Sequence, residues 1–204
     1  MCSSDLITYL NAKAEPHVRP LAEALGAPII LPLDVEVPGQ VEAVFAAIER
    51  EWGLLDFIVH SIAFAPAHDL HGRVTDCSLA GFQRAMQVSC YSLIEVARLG
   101  EPLLDGRGTI LAMTFYGGEK VVRQYNLMGP VKAALEGTVR SLASELGPRG
   151  IRVHALSPGP LRTRAASGID HFDRLVEDAE ARRDFTTRAR VRHEVERVND
   201  DTAI

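Results

Sequence analysis

Cysteine is scarce in this chain. Cys2, Cys77 and Cys90 are all it contains, an odd number without CxxC spacing, which speaks against a disulfide framework or a thiolate zinc site and fits a reducing compartment. There is no run of about 18 apolar residues to cross a bilayer, and the first residues lack the basic segment and apolar stretch of a secretory leader. Blocks of basic residues are absent too. With 22 Lys+Arg against 27 Asp+Glu, the formal charge of -5 creates no general attraction to nucleic acid or to an anionic membrane surface. The expectation is a cytoplasmic protein with neither nucleic acid nor membrane as partner. His60, His68 and His71 lie close in sequence, but no carboxylate stands in a ligand pattern with them, so no metal is expected.

What is present is the means to build one globular core: 204 residues, 47% of them hydrophobic. A short β-prone stretch at 7–10 is followed by a helical pattern over 13–25, with Val18, Leu21, Ala22 and Leu25 on one face and Gly26 as its stop. A second apolar run at 27–33, then Asp34 and a helix at 40–52 with Val41, Val44, Phe45 and Ile48 on one face, repeat the unit. Residues 55–62 have too few polar positions for a strand with one wet face, as expected of a central parallel strand. A long helical stretch at 79–104, a buried strand at 108–114, a helix at 125–146 closed by Gly147-Pro148 and a strand at 151–156 follow. Strands alternating with helices at this spacing specify a doubly wound α/β domain with a parallel sheet. It looks incomplete at both ends: no GxGxxG turn precedes the first strand, so a pyrophosphate cradle is missing, and after Phe185 no apolar run supplies a closing strand.

Tyr125 and Lys132 are seven residues apart. On one continuous helix, two turns would bring them to nearly the same face, about 10 Å apart along the axis. A lysine ammonium near a phenol favours the phenolate, so such a pair can set an acidic hydroxyl beside a carbonyl oxygen. The spacing alone equally describes a half-buried tyrosine with a surface lysine. Its context adds weight, because the strands on either side end in His60-Ser61-Ile62-Ala63-Phe64-Ala65-Pro66 and Ser157-Pro158-Gly159-Pro160-Leu161-Arg162-Thr163, and ligands of open parallel sheets lie at the strands' carboxyl ends. Asp34 reads either as a residue that starts a helix or as an acceptor for an adenine amine.

From about residue 7 to 172 the sequence resembles the enoyl-acyl carrier protein reductases, a divergent, Rossmann-like branch of the short-chain dehydrogenase/reductases. The resemblance is carried by Tyr125-Asn126-Leu127-Met128-Gly129-Pro130-Val131-Lys132, with six residues between tyrosine and lysine, by 55–66 (LDFIVHSIAFAP) and by 157–168 (SPGPLRTRAASG). It implies an NADH-dependent enzyme of fatty acid biosynthesis, NADPH not being excluded, that reduces a trans-2-enoyl thioester carried by acyl carrier protein. Tyr125 and Lys132 are then the catalytic pair. Asp34 and Val35 face the adenine, and Ser61, Ile62 and Ala63 line the cofactor. Gly159, Pro160, Leu161 and Thr163 meet the nicotinamide, and Lys132 its ribose. Phe115, Tyr125, Met128, Ala165 and Ala166 face the acyl chain. Phe115 stands where many relatives carry a second tyrosine. The resemblance also implies a homo-oligomer, a tetramer, through the helices at 79–104 and 125–146. It divides the chain into 1–6, unassigned; 7–172, the Rossmann-like reductase domain; and 173–204, a charged tail, helical or partly disordered.

Two other readings compete. A carbonyl or 3-oxoacyl reductase of the same superfamily would need lysine four residues after the tyrosine, where Gly129 stands. A truncated or degenerate, non-catalytic relative would account for the missing phosphate loop, and the retained Tyr125 and Lys132 weigh against it.

Overall fold

The computed structural model describes residues 5–122, 125–158, 173, 176–177 and the backbone of 190–192. The chain forms two compact units, Met1–Leu55 and Asp56–Ile204. Of the expected site residues, Gly159, Pro160, Leu161, Thr163, Ala165 and Ala166 lie outside the described residues.

In the first unit β1 (Leu6–Tyr9) and β2 (Ile29–Pro32) pair in parallel, Leu6 opposite Ile29 and Tyr9 opposite Pro32, and α1 (Glu15–Ala24) is the crossover between them. Gly26, at φ 72°, stops α1 as a left-handed residue. The Gly26 N–H donates to the Glu23 carbonyl and the Ala27 N–H to the Ala22 carbonyl, each at 2.9 Å, a Schellman closure that satisfies two of the helix's last carbonyls. α2 (Gln40–Glu51) buries Val41, Val44, Phe45 and Ile48, the stripe its 3.6-residue period picks out. α1 departs from expectation: only Ala22 is buried, and Leu21 and Leu25 are exposed. Periodicity tells which residues share a face; whether anything covers that face is a tertiary matter.

The second unit holds a four-stranded sheet ordered β3-β4-β5-β6. β3 (Phe57–His60), β4 (Thr109–Met113) and β5 (Arg152–Ser157) run parallel, with His60 opposite Ala112 and Met113 opposite Leu156, so their carboxyl ends lie side by side. Ile110 and Ala112 are fully buried, and Val153, His154 and Ala155 are buried in succession, which requires cover on both faces of β5. One face is covered by α6 (Met128–Leu146), which packs on β5 and buries Val131, Leu135, Val139, Leu142 and Leu146. Each such leucine or valine contributes about 1.5–3 kcal/mol relative to exposure. Between β3 and β4 come a short α3 (Ala67–Leu70), α4 (Leu79–Met86), one π-helical turn (Gln87–Tyr91) and α5 (Ser92–Gly100), so the long helix expected at 79–104 contains an inserted residue.

Two expectations change here. β3 is the first strand of its sheet rather than a central one, and Phe57 and Val59 are about half exposed, at 55% and 50%. An apolar run fixes that a strand forms, not its place in the order. A closing strand, which the charged tail did not promise, is present: β6 (Arg190–Arg192) pairs antiparallel with β5, Leu156 opposite Val191. Ladder hydrogen bonds come from the backbone, and a strand joining an existing edge does not need an apolar run to make them.

α4 begins at a well-built cap. The Ser78 hydroxyl accepts from the Gly81 N–H at 3.0 Å, while the buried Asp69 carboxylate accepts from the Ser78 N–H at 2.6 Å and from its hydroxyl at 3.2 Å. Ser78→Ala is expected to destabilise the chain by about 1 kcal/mol, measured as a shift of the urea midpoint at unchanged slope.

Candidate active site

The carboxyl end of β4 gathers the site. Its last residues are followed by Phe115 and by a 3-10 turn, Tyr116–Gly118. The Tyr125 ring packs against Phe115, centroids 4.8 Å apart and planes tilted by 59°, an arrangement that aromatic quadrupoles favour. It also lies so close to Gly117 that a β-carbon there would collide with Tyr125 Cδ1. Tyr125 is buried in one cluster with Ala85, Leu127, Met128 and Val131, against which Ala65, Leu70, Met86 and Phe115 pack. Three expected substrate-facing residues, Phe115, Tyr125 and Met128, are thus brought together.

Tyr125 does not sit on the helix that carries Lys132. α6 starts at Met128, and Asn126, at φ 36°, interrupts the backbone between them. The seven-residue spacing therefore corresponds to a turn followed by about one helical turn, not to two turns of one helix. Asparagine is among the few non-glycine residues that tolerate this left-handed region, and here its Nδ2 also donates to the Leu70 carbonyl at 3.0 Å. Asn126→Ala is expected to cost about 2 kcal/mol through strain and the lost hydrogen bond, and Asn126→Gly about 1 kcal/mol through the bond alone; thermal melts of the two variants separate the contributions.

Lys132 is buried at 5% exposure and its Nζ donates to the Met113 carbonyl at 2.7 Å. Burial pulls its pKa down to about 8, against the opposing pull of Glu136 and Cys90, so it remains mostly an ammonium at neutral pH. Burial pushes the Tyr125 phenol well above the ordinary tyrosine value, and the charge of Glu136 pushes the same way. The sequence reading expected an acidic hydroxyl; burial and the charge of Glu136 instead make the Tyr125 phenol less acidic, a neutral hydroxyl able to donate a hydrogen bond.

His60 ends β3 and is 2% exposed. The Ser92 hydroxyl donates to the Val88 carbonyl at 2.6 Å, so in the 2.8 Å contact between them His60 Nε2 must be the donor to Ser92 Oγ. That leaves Nδ1 buried and without a hydrogen-bond partner. Burial, helped by the charge of Lys132, lowers the imidazole pKa to about 4.

Beyond His60, Ser61 and Ala63 are exposed and Ile62 is half-buried. The loop is anchored by Ser89 in the π-helical turn, whose hydroxyl accepts from the Phe64 N–H at 2.9 Å and donates to the Phe64 carbonyl at 3.1 Å. The Arg84 guanidinium stacks over the Phe64 ring at 4.5 Å. π turns recur at functional sites because one extra residue re-aims the side chains around it. Asp34 and Val35 belong to the first unit. Asp34 Oδ1 accepts from the Glu36 N–H at 3.0 Å and the Asp34 N–H donates to Gln40 Oε1 at 2.7 Å, an Asx turn leading toward α2.

The family model described as enoyl-(acyl carrier protein) reductase matches residues 5–198. The chain belongs to this family. Among curated enoyl-[acyl-carrier-protein] reductases (NADH), that of Rickettsia felis is 43% identical over 169 residues, covering 83% of this chain and 65% of the relative. One from Rhizobium meliloti is 46% identical over 166 residues, covering 81% and 61%. The chain therefore spans a little under two thirds of the length of these relatives. The crystal structure of the Aquifex aeolicus reductase superposes with a TM-score of 0.81 at 43% identity, covering 85% of this chain and 68% of that one. The Anaplasma phagocytophilum reductase, solved in complex with NAD, gives 0.77 at 46%, covering 82% and 64%. The fold of this chain is accordingly the Rossmann-like α/β fold with parallel sheets. The family motif drew attention to Tyr125 and Lys132; Asn126, Ser89, Thr114 and Glu136 went unnoticed. Glu136 alone left a signal, standing four residues after Lys132 on a predicted helix.

Proposed function

We propose that the chain carries the chemistry of an NADH-dependent enoyl-[acyl-carrier-protein] reductase, reducing the double bond of a trans-2-enoyl thioester in fatty acid biosynthesis. The observation that carries this reading is the placement, at the carboxyl end of β4, of a buried phenol packed against Phe115 and Gly117 and a buried ammonium held by the Met113 carbonyl. It lies beside the ends of β3 and β5, where an open parallel sheet receives its ligand. The relatives' names supply the reaction and the cofactor: those cited are NADH enzymes.

The described residues suit the nicotinamide-ribose end of a dinucleotide. Lys132 offers an Nζ already engaged by a carbonyl it can release, and Ser61 and Ala63 leave an open, anchored backbone at the end of β3. When bound, NADH supplies the hydride that reaches the β-carbon of the enoyl group. Negative charge then develops on the thioester oxygen, where the Tyr125 hydroxyl donates its hydrogen bond, and the α-carbon takes a proton from solvent water to complete the saturated product. Lys132 would hold the ribose hydroxyls of the bound cofactor and supply positive charge near that oxygen. Phe115 and Met128 shape the wall against the acyl chain, with Ala165 and Ala166 assigned to the same wall. Gly159, Pro160, Leu161 and Thr163 are assigned to the nicotinamide, and Asp34 and Val35 to the adenine. In this reading 7–172 is the reductase domain and 173–204 a charged tail.

Among the described residues no helix is long and apolar enough to cross a membrane, and we assign the protein to the cytoplasm. The exposed Leu79, Phe82, Tyr91 and Ile94 along α4, the π turn and α5 support a homo-oligomer, a tetramer in the family pattern. The test is a fluorescence titration of the 204-residue chain with NADH, followed by loss of reduced nicotinamide absorbance on adding a trans-2-enoyl thioester. Saturable binding with turnover supports the reading. A folded chain that binds no NADH would overturn it.

A further inference from the structure

Glu136 lies four residues beyond Lys132 on α6, the spacing at which helical side chains become neighbours. Its Oε1 accepts from the Thr114 hydroxyl at 2.8 Å. Thr114 is buried, continues the sheet by donating its N–H to the Leu156 carbonyl at 2.9 Å, and directly follows Met113, the residue whose carbonyl holds Lys132. Room for the carboxylate is built in: a β-carbon on Gly118 would stand 2.8 Å from Glu136 Oε1 and 3.0 Å from the Lys132 carbonyl carbon. The adjacent glycines therefore have separate tasks, Gly117 admitting the Tyr125 ring and Gly118 the Glu136 carboxylate.

We propose that Glu136 is a positioning residue of this site, tethered to the end of β4 through Thr114, whose negative charge supports the Lys132 ammonium and opposes ionisation of the Tyr125 phenol. A single carboxylate serves both partners because attraction favours the charged lysine while repulsion disfavours the phenolate. Among the described residues the groups that act electrostatically with Lys132 are Glu136 from its own helix, Cys90 from the π turn and His60 from β3. Of these, His60 stays neutral at physiological pH, and Glu136 opposes the effect of burial on Lys132 more strongly than Cys90 does. This inference rests on reading Tyr125 and Lys132 as the reacting pair. Its primary test, however, is made without cofactor or substrate, so that it can fail or hold independently of turnover.

The chain has three lysines, Lys13, Lys120 and Lys132, so carbon-13 labelling at lysine Cε yields three resolvable titrations, with Lys132 assigned from Lys132→Met. In the unaltered chain the Lys132 midpoint is expected near 8. In Glu136→Gln, which retains an oxygen for Thr114, the midpoint is expected to fall by about one pH unit, while Lys13 and Lys120 do not move. Glu136→Asp, keeping the charge, should recover part of that fall, which a purely packing role would not produce. If Glu136→Gln does not fold, Thr114→Val tests the tether with the carboxylate in place, and a smaller fall is expected. A Lys132 midpoint unchanged in Glu136→Gln, or in Thr114→Val where that variant must stand in, overturns the proposal. Where turnover is measurable, the alkaline limb of the kcat profile should move down with the lysine midpoint.

Discussion

Tyr125→Phe is expected to lower the turnover of a trans-2-enoyl thioester by about 10²–10³-fold, the loss that follows removal of one donor to a developing oxyanion. The ring remains: its packing on Phe115 and over Gly117 does not involve the hydroxyl, so the melting temperature should stay close to that of the unaltered chain. NADH affinity should also stay, because the ribose contact is assigned to Lys132. A steady-state comparison that finds kcat reduced with KM little changed would place the interaction in the transition state. Full activity in a folded Tyr125→Phe chain would mean that another group donates to the thioester oxygen.

Stability should climb with pH in two separate windows, for the same physical reason. His60 titrates near 4 in the folded chain against 6.5 as its ordinary value. Between those values the unfolded chain binds the extra proton, so about 3 kcal/mol of stability present above 6.5 is lost as the pH falls to 4. Lys132 titrates near 8 against 10.5. Here too the unfolded state holds the proton more tightly, so stability rises by about 3 kcal/mol from pH 8 to 10.5. The raised phenol of Tyr125 acts in the opposite sense above about pH 10, where the unfolded tyrosine ionises first and stability falls. Lys132→Met removes the second window. Allowing for the donor lost to the Met113 carbonyl, it should stabilise the chain near pH 7 by about 2 kcal/mol, while abolishing turnover. Urea midpoints measured from pH 4 to 10 decide this: a Lys132→Met chain with the same alkaline rise would show that the lysine is not its source. A gain in stability at the expense of activity is what a site built around a buried charge implies.

Part of the site was legible because short-range chemistry wrote it. The period of α2 named Val41, Val44, Phe45 and Ile48 correctly, since helix geometry alone sets which residues share a face. The tyrosine and lysine spaced by seven, with small residues after the flanking strands, pointed to one end of a parallel sheet, and β3, β4 and β5 do end together there. Other features depend on partners far away in sequence. The left-handed Asn126 that takes Tyr125 off the helix is held by Leu70, 56 residues earlier, and Ser89 clamps a loop 25 residues before it.

The sequence by itself determined the alternation of strands and helices and the family, and singled out Tyr125 and Lys132 as the pair proposed to react, because backbone periodicity and a local motif suffice for these. Only the tertiary structure decided their acidity: burial at the end of β4 makes the Tyr125 phenol harder to ionise and draws the Lys132 pKa down to about 8, while Glu136, held there by Thr114, favours the neutral phenol and the charged lysine. Charge in a low-dielectric interior depends on what surrounds it in space, and spacing along a chain does not record that.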